Sequence, residues 1–165
     1  QEVIKDLALK VYEDYKDEVP IFVGVLNGVI MFFADFLKHY PGRCEVAFLQ
    51  VSSSHGGLQS TGIVYKKMDL TKDVEGRHII LMEDIVDTGN TLESLFEYFK
   101  NTQRPQSLKV ATLLMKPDVF KDRFPIDYVA KEIPNKFVLG YGLDYDELGR
   151  NLPDLYQLED GRINH

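Results

Sequence analysis

The sequence has few of the features that would place it in a special class of protein. Its single cysteine, Cys44, cannot form an intramolecular disulfide, which suits a reducing compartment. The apolar runs are far shorter than the roughly 20 residues of a membrane-spanning helix, and the first residues show no signal-peptide pattern. The formal net charge of −7 comes without a cluster of lysines and arginines. We therefore expect a soluble, cytoplasmic protein that binds neither nucleic acid nor membrane.

The hydrophobic pattern predicts an α/β fold in one domain. The chain has 165 residues, of which 44% are apolar and 27% charged, as in an ordinary globular domain. No internal repeat or low-complexity linker divides it, so we place a single domain over residues 1–165. Strands alternate with helices in the middle of the chain, which favours parallel strands with crossover helices. The predicted helices span 3–15, 29–40 and 91–100, and the predicted strands span 21–26, 45–51, 63–70, 78–82, 108–116, 127–133, 136–145 and 155–159.

One stretch, "IILMEDIVDTGNT" at residues 79–91, concentrates acidic residues at the end of a predicted buried strand. Glu83 and Asp84 follow the apolar run directly, and Asp87 precedes a turn at residues 88–91. In open α/β sheets, ligands bind at the carboxyl ends of the strands. A glycine-containing turn at a helix N-terminus binds anions, whereas carboxylates bind hydroxyl groups, metal ions or protons. The stretch therefore predicts a ligand that carries a phosphate, sugar hydroxyls and a metal ion.

Other interpretations of this stretch are weaker. Thr88 or Asn90 could be an ordinary helix cap, with the acids favouring the helix dipole. The Asp-Thr-Gly sequence also occurs in aspartic proteases, but those proteins are all-β and a helical pattern follows here. A Walker phosphate loop is excluded because the chain has no Gly-Lys-Ser or Gly-Lys-Thr.

The segment "ILMEDIVDTGNT" closely resembles the ribose-phosphate signature of the type I phosphoribosyltransferases. Two later segments, "KVATLLMKP" and "IPNKFVLGYGLDYDELGRNLP", resemble the purine-recognition segments of hypoxanthine(-guanine) phosphoribosyltransferases, and the similarity runs from about residue 20 to residue 158. The resemblance implies a parallel sheet flanked by helices, with a small hood subdomain formed by the N-terminal and C-terminal segments. It also implies purine salvage, by transfer of phosphoribosyl from 5-phosphoribosyl 1-diphosphate (PRPP) to N9 of hypoxanthine and of guanine. IMP or GMP and pyrophosphate would be the products, Mg²⁺ the cofactor, and a homodimer or homotetramer the assembly.

The side chains on the base-binding side fit a 6-oxopurine. Lys116, at a strand end, can donate a hydrogen bond to the exocyclic O6, whereas the amino group of adenine would meet this donor with a second donor. Phe137 offers a ring face for stacking, and the Val138 main chain can meet the far edge of the base. Taken separately, Lys116 could be a solvated lysine and Phe137 an ordinary core residue.

The resemblance implies further roles by residue. Glu83 and Asp84 would hold the ribose hydroxyls, Asp87 would act as the general base or acid at purine N7, and Asp144 would be a second metal contact. The implied catalytic residues are Asp87, Lys116 and Arg150; the ribose and 5′-phosphate residues are Glu83, Asp84, Asp87, Thr88, Gly89, Asn90 and Thr91. The purine residues are Lys116, Lys136, Phe137, Val138 and Asp144, the pyrophosphate residues are Leu26, Asn27, Gly28 and Arg150, and the metal ligands are Glu83, Asp84 and Asp144.

Two segments depart from the family pattern. The turn at residues 26–28 corresponds to the pyrophosphate loop, where a non-proline cis peptide is expected, but Asn27 stands where the family often has a basic residue. Residues 52–62 correspond to a mobile lid that often carries Ser-Tyr, here with Ser53, Ser54, His55 and Gly56 as the predicted lid residues. His55 replaces the usual aromatic residue and could also be an exposed loop histidine.

Two alternatives to a hypoxanthine enzyme remain open from the sequence. A phosphoribosyltransferase that prefers xanthine or another base would keep residues 79–91 and differ around Lys116 and Phe137. A regulator of the same fold would bind PRPP or nucleotides without turnover. We also expect a subunit interface at the apolar surfaces that flank residues 28–37.

Overall fold

The computed structural model of the chain describes residues 1–53 and 64–158. Its helices are α1 (Glu2–Tyr15), α2 (Ile30–His39), α3 (Asn90–Tyr98), which continues into a π-helical turn at Phe99–Gln103, and α4 (Pro117–Phe120). Its strands are β1 (Ile21–Leu26), β2 (Glu45–Ser53), β3 (Val64–Met68), β4 (His78–Val86), β5 (Ser107–Met115), β6 (Tyr128–Glu132), β7 (Val138–Leu139) and β8 (Tyr156–Gln157). Within the described ranges, none of these helices has the length and apolar character to cross a membrane.

Six strands form one sheet in the order β3-β2-β1-β4-β5-β6. Five of them run parallel, and β3 pairs with β2 in the antiparallel direction at the edge. The central strands are buried on both faces, as in α/β sheets covered by helices, which explains why the sequence presents them as continuous apolar runs. The predicted parallel sheet flanked by helices is confirmed.

Helices cover both faces of the sheet. On one face α1 and α2 pack against the strands around Phe22 and Ile80, and on the other α3 packs against Ile79 and Leu81. The apolar spacing that predicted α1 also places its buried side chains on one side of the helix. Because the strands are parallel, their carboxyl ends meet at one edge, and the loops after β1, β4 and β5 come together there.

A hood formed by both the N-terminal and the C-terminal segments stays a prediction. Helix α1 packs with α2 on the main sheet, so this N-terminal segment lies in the main layer. Strands β7 and β8 form a separate two-stranded sheet. The C-terminal part that contains them, residues 137–158, is called the hood below. The predicted strand at 136–145 is reduced to two residues, because the following segment turns with positive φ at Gly140, Tyr141 and Gly142.

Other elements near the carboxyl edge of the sheet also differ from their predictions. Strand β4 does not stop before the acids: Glu83 pairs with Thr112 of β5, and the pairing continues to Val86. Helix α3 begins at Asn90, one residue earlier than expected. The short helix α4 was not predicted; Pro117 begins it, because proline is tolerated at the first helical position.

Candidate active site

Two adjacent cavities open at the carboxyl edge of the sheet. The larger has a volume of about 410 Å³ and the smaller about 180 Å³. The larger is lined by Val25, Leu26, Gly28, Val51, Arg150 and the continuous run from Glu83 to Leu92. The smaller is lined by Lys116, Phe137, Val138 and Leu143. Asp84, Ile85, Asp87 and Asp144 line both, so the two cavities form one bipartite site.

The loop after β1 approaches the acids of β4 through backbone. The peptide bond between Leu26 and Asn27 is cis, as expected from the resemblance. A Cβ on Gly28 would lie 1.9 Å from Asp84 Oδ2, so only glycine permits this approach. Asn27 Oδ1 accepts a hydrogen bond from Gln50 Nε2 at 3.2 Å, and Asn27 is not among the residues that line the cavities.

Glu83 and Asp84 are carboxylates in a poorly solvated position. Burial, and then the charge of Asp84, raises the pKa of Glu83 well above its ordinary value. Burial also raises the pKa of Asp84, although the Ile85 N–H donates to its Oδ1 at 2.8 Å and Arg150 acts in the opposite direction. Glu83 Oε1 has no hydrogen-bond partner among the residues that the structure describes. A buried, unpartnered carboxylate oxygen beside a cavity is suited to accept a hydroxyl group or to bind a cation.

The turn at residues 88–91 forms the N-terminus of α3. The residue preceding the helix is Gly89, with φ of 87°, and no side chain caps the helix from that position. Thr88 Oγ1 accepts a hydrogen bond from the Asn90 N–H at 3.3 Å. A Cβ on Gly89 would lie 2.8 Å from the Phe120 ring, so this position requires glycine for both conformation and space. Residues 89–92, at the start of α3, line the larger cavity, and free backbone N–H groups at a helix N-terminus are suited to bind an anion.

Lys116 and Asp87 meet between the two cavities. The Lys116 ammonium lies 3.3 Å from Asp87 Oδ2. The Lys116 side chain is 8% exposed and that of Asp87 50% exposed, so a buried cation is paired with a carboxylate that reaches the cavity. The alternative that Lys116 is a solvated surface lysine is excluded by this burial.

Phe137 presents its ring to the smaller cavity. Phe137 is 46% exposed, and its ring and that of Tyr145 form a T-shaped pair with centroids 5.6 Å apart. The alternative of a core phenylalanine is therefore wrong. Val138 and Leu143 complete the apolar wall. Lys136 is exposed and is not among the residues that line this cavity.

Arg150 and Asp144 close the site from the hood. One guanidinium nitrogen of Arg150 donates to the Gly142 carbonyl at 2.8 Å, and the other lies 3.4 Å from Asp144 Oδ1. A Cβ on Gly142 would lie 2.3 Å from the Gly28 carbonyl oxygen, so the hood touches the loop after β1 through two glycines. Asp144 Oδ2 also accepts the Glu147 N–H at 2.8 Å.

A ready-made metal cluster is absent from the residues that the structure describes: no three histidine, cysteine or acidic residues stand close enough to form one. The predicted ligands Glu83, Asp84 and Asp144 are thus near one cavity without forming a three-carboxylate cage. This arrangement fits Mg²⁺, which proteins usually bind through one or two carboxylates while substrate phosphates and water complete the coordination. The unpartnered Glu83 Oε1 supports that fit.

Some residues of the site were not predicted from the sequence, and most of the predicted lid residues lie outside the described part of the chain. Arg123 contacts the turn at 88–90, and no motif marks it. Ile85 and Leu143 line the smaller cavity; both lie inside the segments that carry the resemblance, but neither was predicted as a site residue. The predicted lid residues Ser54, His55 and Gly56 fall outside the described residues. Ser53 is the last residue of β2.

Comparisons with known proteins identify the family of the chain. Residues 1–146 match the family model described as the phosphoribosyl transferase domain. The chain is 46% identical over 152 residues to the hypoxanthine-guanine phosphoribosyltransferase of Streptococcus pneumoniae, covering 92% of this chain and 84% of that protein. The corresponding Staphylococcus epidermidis protein is 44% identical over 153 residues, covering 93% and 85%. A crystal structure of a Staphylococcus aureus hypoxanthine phosphoribosyltransferase superimposes with a TM-score of 0.88 at 40% identity, covering 96% of this chain and 85% of that one. The chain therefore belongs to the phosphoribosyltransferase family of enzymes.

Proposed function

We propose that this enzyme transfers the phosphoribosyl group of PRPP to N9 of hypoxanthine, and also of guanine, in purine salvage. The C1′–N9 bond forms as the bond between C1′ and the diphosphate oxygen breaks, giving IMP or GMP and pyrophosphate. The observation that carries the proposal is the buried Lys116 paired with Asp87 at 3.3 Å, between an anion-binding cavity and an aromatic one.

The larger cavity fits the phosphoribosyl group. The turn at 88–91 offers backbone N–H groups to the 5′-phosphate, and the carboxylates of Glu83 and Asp84 accept hydrogen bonds from ribose hydroxyls. Leu26, Gly28 and Arg150 line this cavity, and we assign them to the departing diphosphate. A bound Mg²⁺, held by Glu83, Asp84 and Asp144 together with the substrate, would neutralise charge on the leaving diphosphate.

The smaller cavity fits a 6-oxopurine. Lys116 donates a hydrogen bond to O6, Phe137 stacks on the ring, and the Val138 main chain meets the opposite edge. Asp87 exchanges a proton with N7, which requires a carboxylate that reaches the cavity. Lys136 is exposed and does not line this cavity, so we assign it no direct contact with the base.

A direct assay tests the proposal. Nucleotide formation from PRPP and Mg²⁺ is measured with hypoxanthine, guanine, xanthine and adenine side by side. We expect turnover with hypoxanthine and guanine and none with adenine, because Lys116 presents a donor to the position of the adenine amino group. Turnover with xanthine alone would assign the enzyme to a different base, and PRPP binding without turnover on any base would assign the chain to the regulators of this fold.

Two properties accompany this proposal. We propose that the enzyme acts in the cytoplasm and as a homodimer or homotetramer. Ile30 and Val46 are both large apolar residues with exposed surface, and Ile30 begins α2, the segment at which we expected an interface. Sedimentation velocity at several protein concentrations tests the assembly.

A further inference from the structure

An arginine outside every recognised motif holds the anion-binding turn. Arg123 lies in the loop after α4, and one of its guanidinium nitrogens donates to the Thr88 carbonyl at 2.7 Å and to Asn90 Oδ1 at 2.7 Å. The other pairs with Glu93 Oε2 at 2.6 Å. Arg123 therefore joins the turn before α3 to the first turn of the helix through three acceptors.

The hydrogen bond to the Thr88 carbonyl fixes a backbone direction. The carbonyl of Thr88 and the N–H of Gly89 belong to the same planar trans peptide, so they point in opposite directions. When Arg123 holds the carbonyl on its side, the Gly89 N–H is turned to the other side. Gly89 accepts this geometry with φ of 87° and lines the larger cavity.

The charge of Arg123 is engaged locally. Its ion pair with Glu93 balances the guanidinium charge, and the Arg123 guanidinium also lies over the ring of Phe124. The Phe124 ring packs on Phe120, whose ring occupies the space beside Gly89. These contacts anchor the arginine, and they indicate that it acts by geometry rather than as a free positive charge.

We propose that Arg123 is a positioning residue for the phosphate site, which orients the Gly89 N–H toward the 5′-phosphate of the substrate. This inference rests on the proposed function, because it assigns the turn at 88–91 to that phosphate. A fork of N–H donors suits the task, since it can hold a carbonyl, an amide oxygen and a carboxylate at the same time.

The test separates the substrates in steady-state kinetics. In Arg123→Gln, the KM for PRPP should rise roughly tenfold, as expected for the loss of a charge-assisted hydrogen bond. The KM for hypoxanthine and kcat should stay within about twofold, because the base cavity and Asp87 are not contacted by Arg123. Arg123→Lys should recover only part of the loss, since one ammonium cannot reproduce the fork. Lys121→Gln removes the same charge from an exposed position in the same loop and should leave the PRPP KM unchanged.

Other outcomes would overturn the inference. An unchanged PRPP KM in Arg123→Gln removes the positioning role, and full recovery in Arg123→Lys replaces it with a simple effect of charge. Parallel losses in both KM values, kcat and melting temperature would mean a structural role only.

A binding measurement separates this inference from the proposed function. Titration calorimetry with ribose 5-phosphate should show the same roughly tenfold weakening in Arg123→Gln. If the unaltered protein forms no nucleotide from any base, the proposed function fails and calorimetry alone decides the role of Arg123. If it turns over hypoxanthine and calorimetry shows no weakening, only the role of Arg123 fails.

Discussion

The phosphoribosyl half of the site, which is the larger cavity in our proposal, and the base half, which is the smaller cavity, are assembled in different ways. The larger cavity takes most of its wall from one continuous segment, residues 83–92, which runs from β4 through the turn into α3. The smaller cavity brings together Lys116, which follows β5, with two segments of the hood, residues 137–138 and residues 143–144. One half is therefore local in the chain, whereas the other depends on the packing of separate segments.

The two halves also differ in charge. Glu83 and Asp84 border the larger cavity with pKa values raised by burial, and the buried cation Lys116 borders the smaller one. Asp87 lines both and pairs with Lys116. This difference predicts that a substitution at a residue that lines only one cavity should mainly affect one substrate.

The largest effect is expected at Asp87, which lines both cavities. Asp87→Asn removes the group that we propose exchanges a proton with the base, so kcat should fall by roughly a hundredfold or more while PRPP still binds. Single-turnover rates together with PRPP titration measure the two effects separately. Asp118→Asn makes the same change at an exposed residue of α4 and should have little effect. Lost PRPP binding with a normal chemical rate would contradict the proton-transfer role.

A second substitution tests the phosphoribosyl half. Gly28→Ala would place a Cβ 1.9 Å from Asp84 Oδ2, so the carboxylate must move. We expect the KM for PRPP to rise by roughly tenfold or more, and the KM for hypoxanthine to rise less.

Gly76→Ala is the control for that substitution. It lies before β4, at the end of the strand away from the acids, and a Cβ there would meet nothing within 4 Å. It should leave both KM values unchanged, although its φ of 72° will reduce stability slightly. Equal losses for both substrates in Gly28→Ala would break the distinction between the two halves.

A smaller effect is expected in the base half. Phe137→Leu removes the stacking ring but keeps an apolar side chain, so the KM for hypoxanthine should rise by roughly fivefold, corresponding to about 1 kcal/mol. The KM for PRPP should not change. Tyr156→Leu, at a partly exposed ring of β8 that does not line the cavity, is the control. A PRPP effect as large as the base effect would show that the halves are coupled.

The smallest effect concerns the support of the hood. Tyr141 donates a hydrogen bond to Asp35 on α2, and Gln1 Nε2 donates to the same oxygen at 2.9 Å. Burial would raise the pKa of Asp35, but the hydrogen bonds from Tyr141, Gln1 and Lys38 outweigh it and lower the pKa. Because this pKa is lower in the folded state, its contribution to stability is complete above the unfolded value of about 3.9 and is lost as pH falls through the folded value.

Asp35→Asn should therefore reduce the free energy of unfolding by roughly 1 kcal/mol near pH 7. The difference from the unaltered protein should shrink as the pH falls below about 4. Urea unfolding over this pH range measures it, and Asp17→Asn, an exposed acid after α1, provides the control. A difference independent of pH would mean that the carboxylate charge plays no part.

The parallel sheet, most of the helices and the acidic segment that lines the larger cavity could be predicted from the sequence. The reason is that these features are local: strand and helix periods are visible over short windows, and the acids of β4 and the turn before α3 lie within residues 83–91. Resemblance added the base-binding segments and the cis peptide after Leu26. The end of β4 was predicted too early, because the strand continues past Met82 through Glu83 and Asp84 by pairing with β5, and the sequence does not show this pairing.

Only the tertiary structure decided which distant groups meet. Lys116 is buried against Asp87, Gly142 contacts Gly28, and Arg123 donates a hydrogen bond to the Thr88 carbonyl. The residues of these three pairs are 29, 114 and 35 positions apart in the chain. No spacing rule encodes such contacts, because they result from how the helices and the hood pack on the sheet. Packing turned a local acidic signature into a site with two distinct cavities.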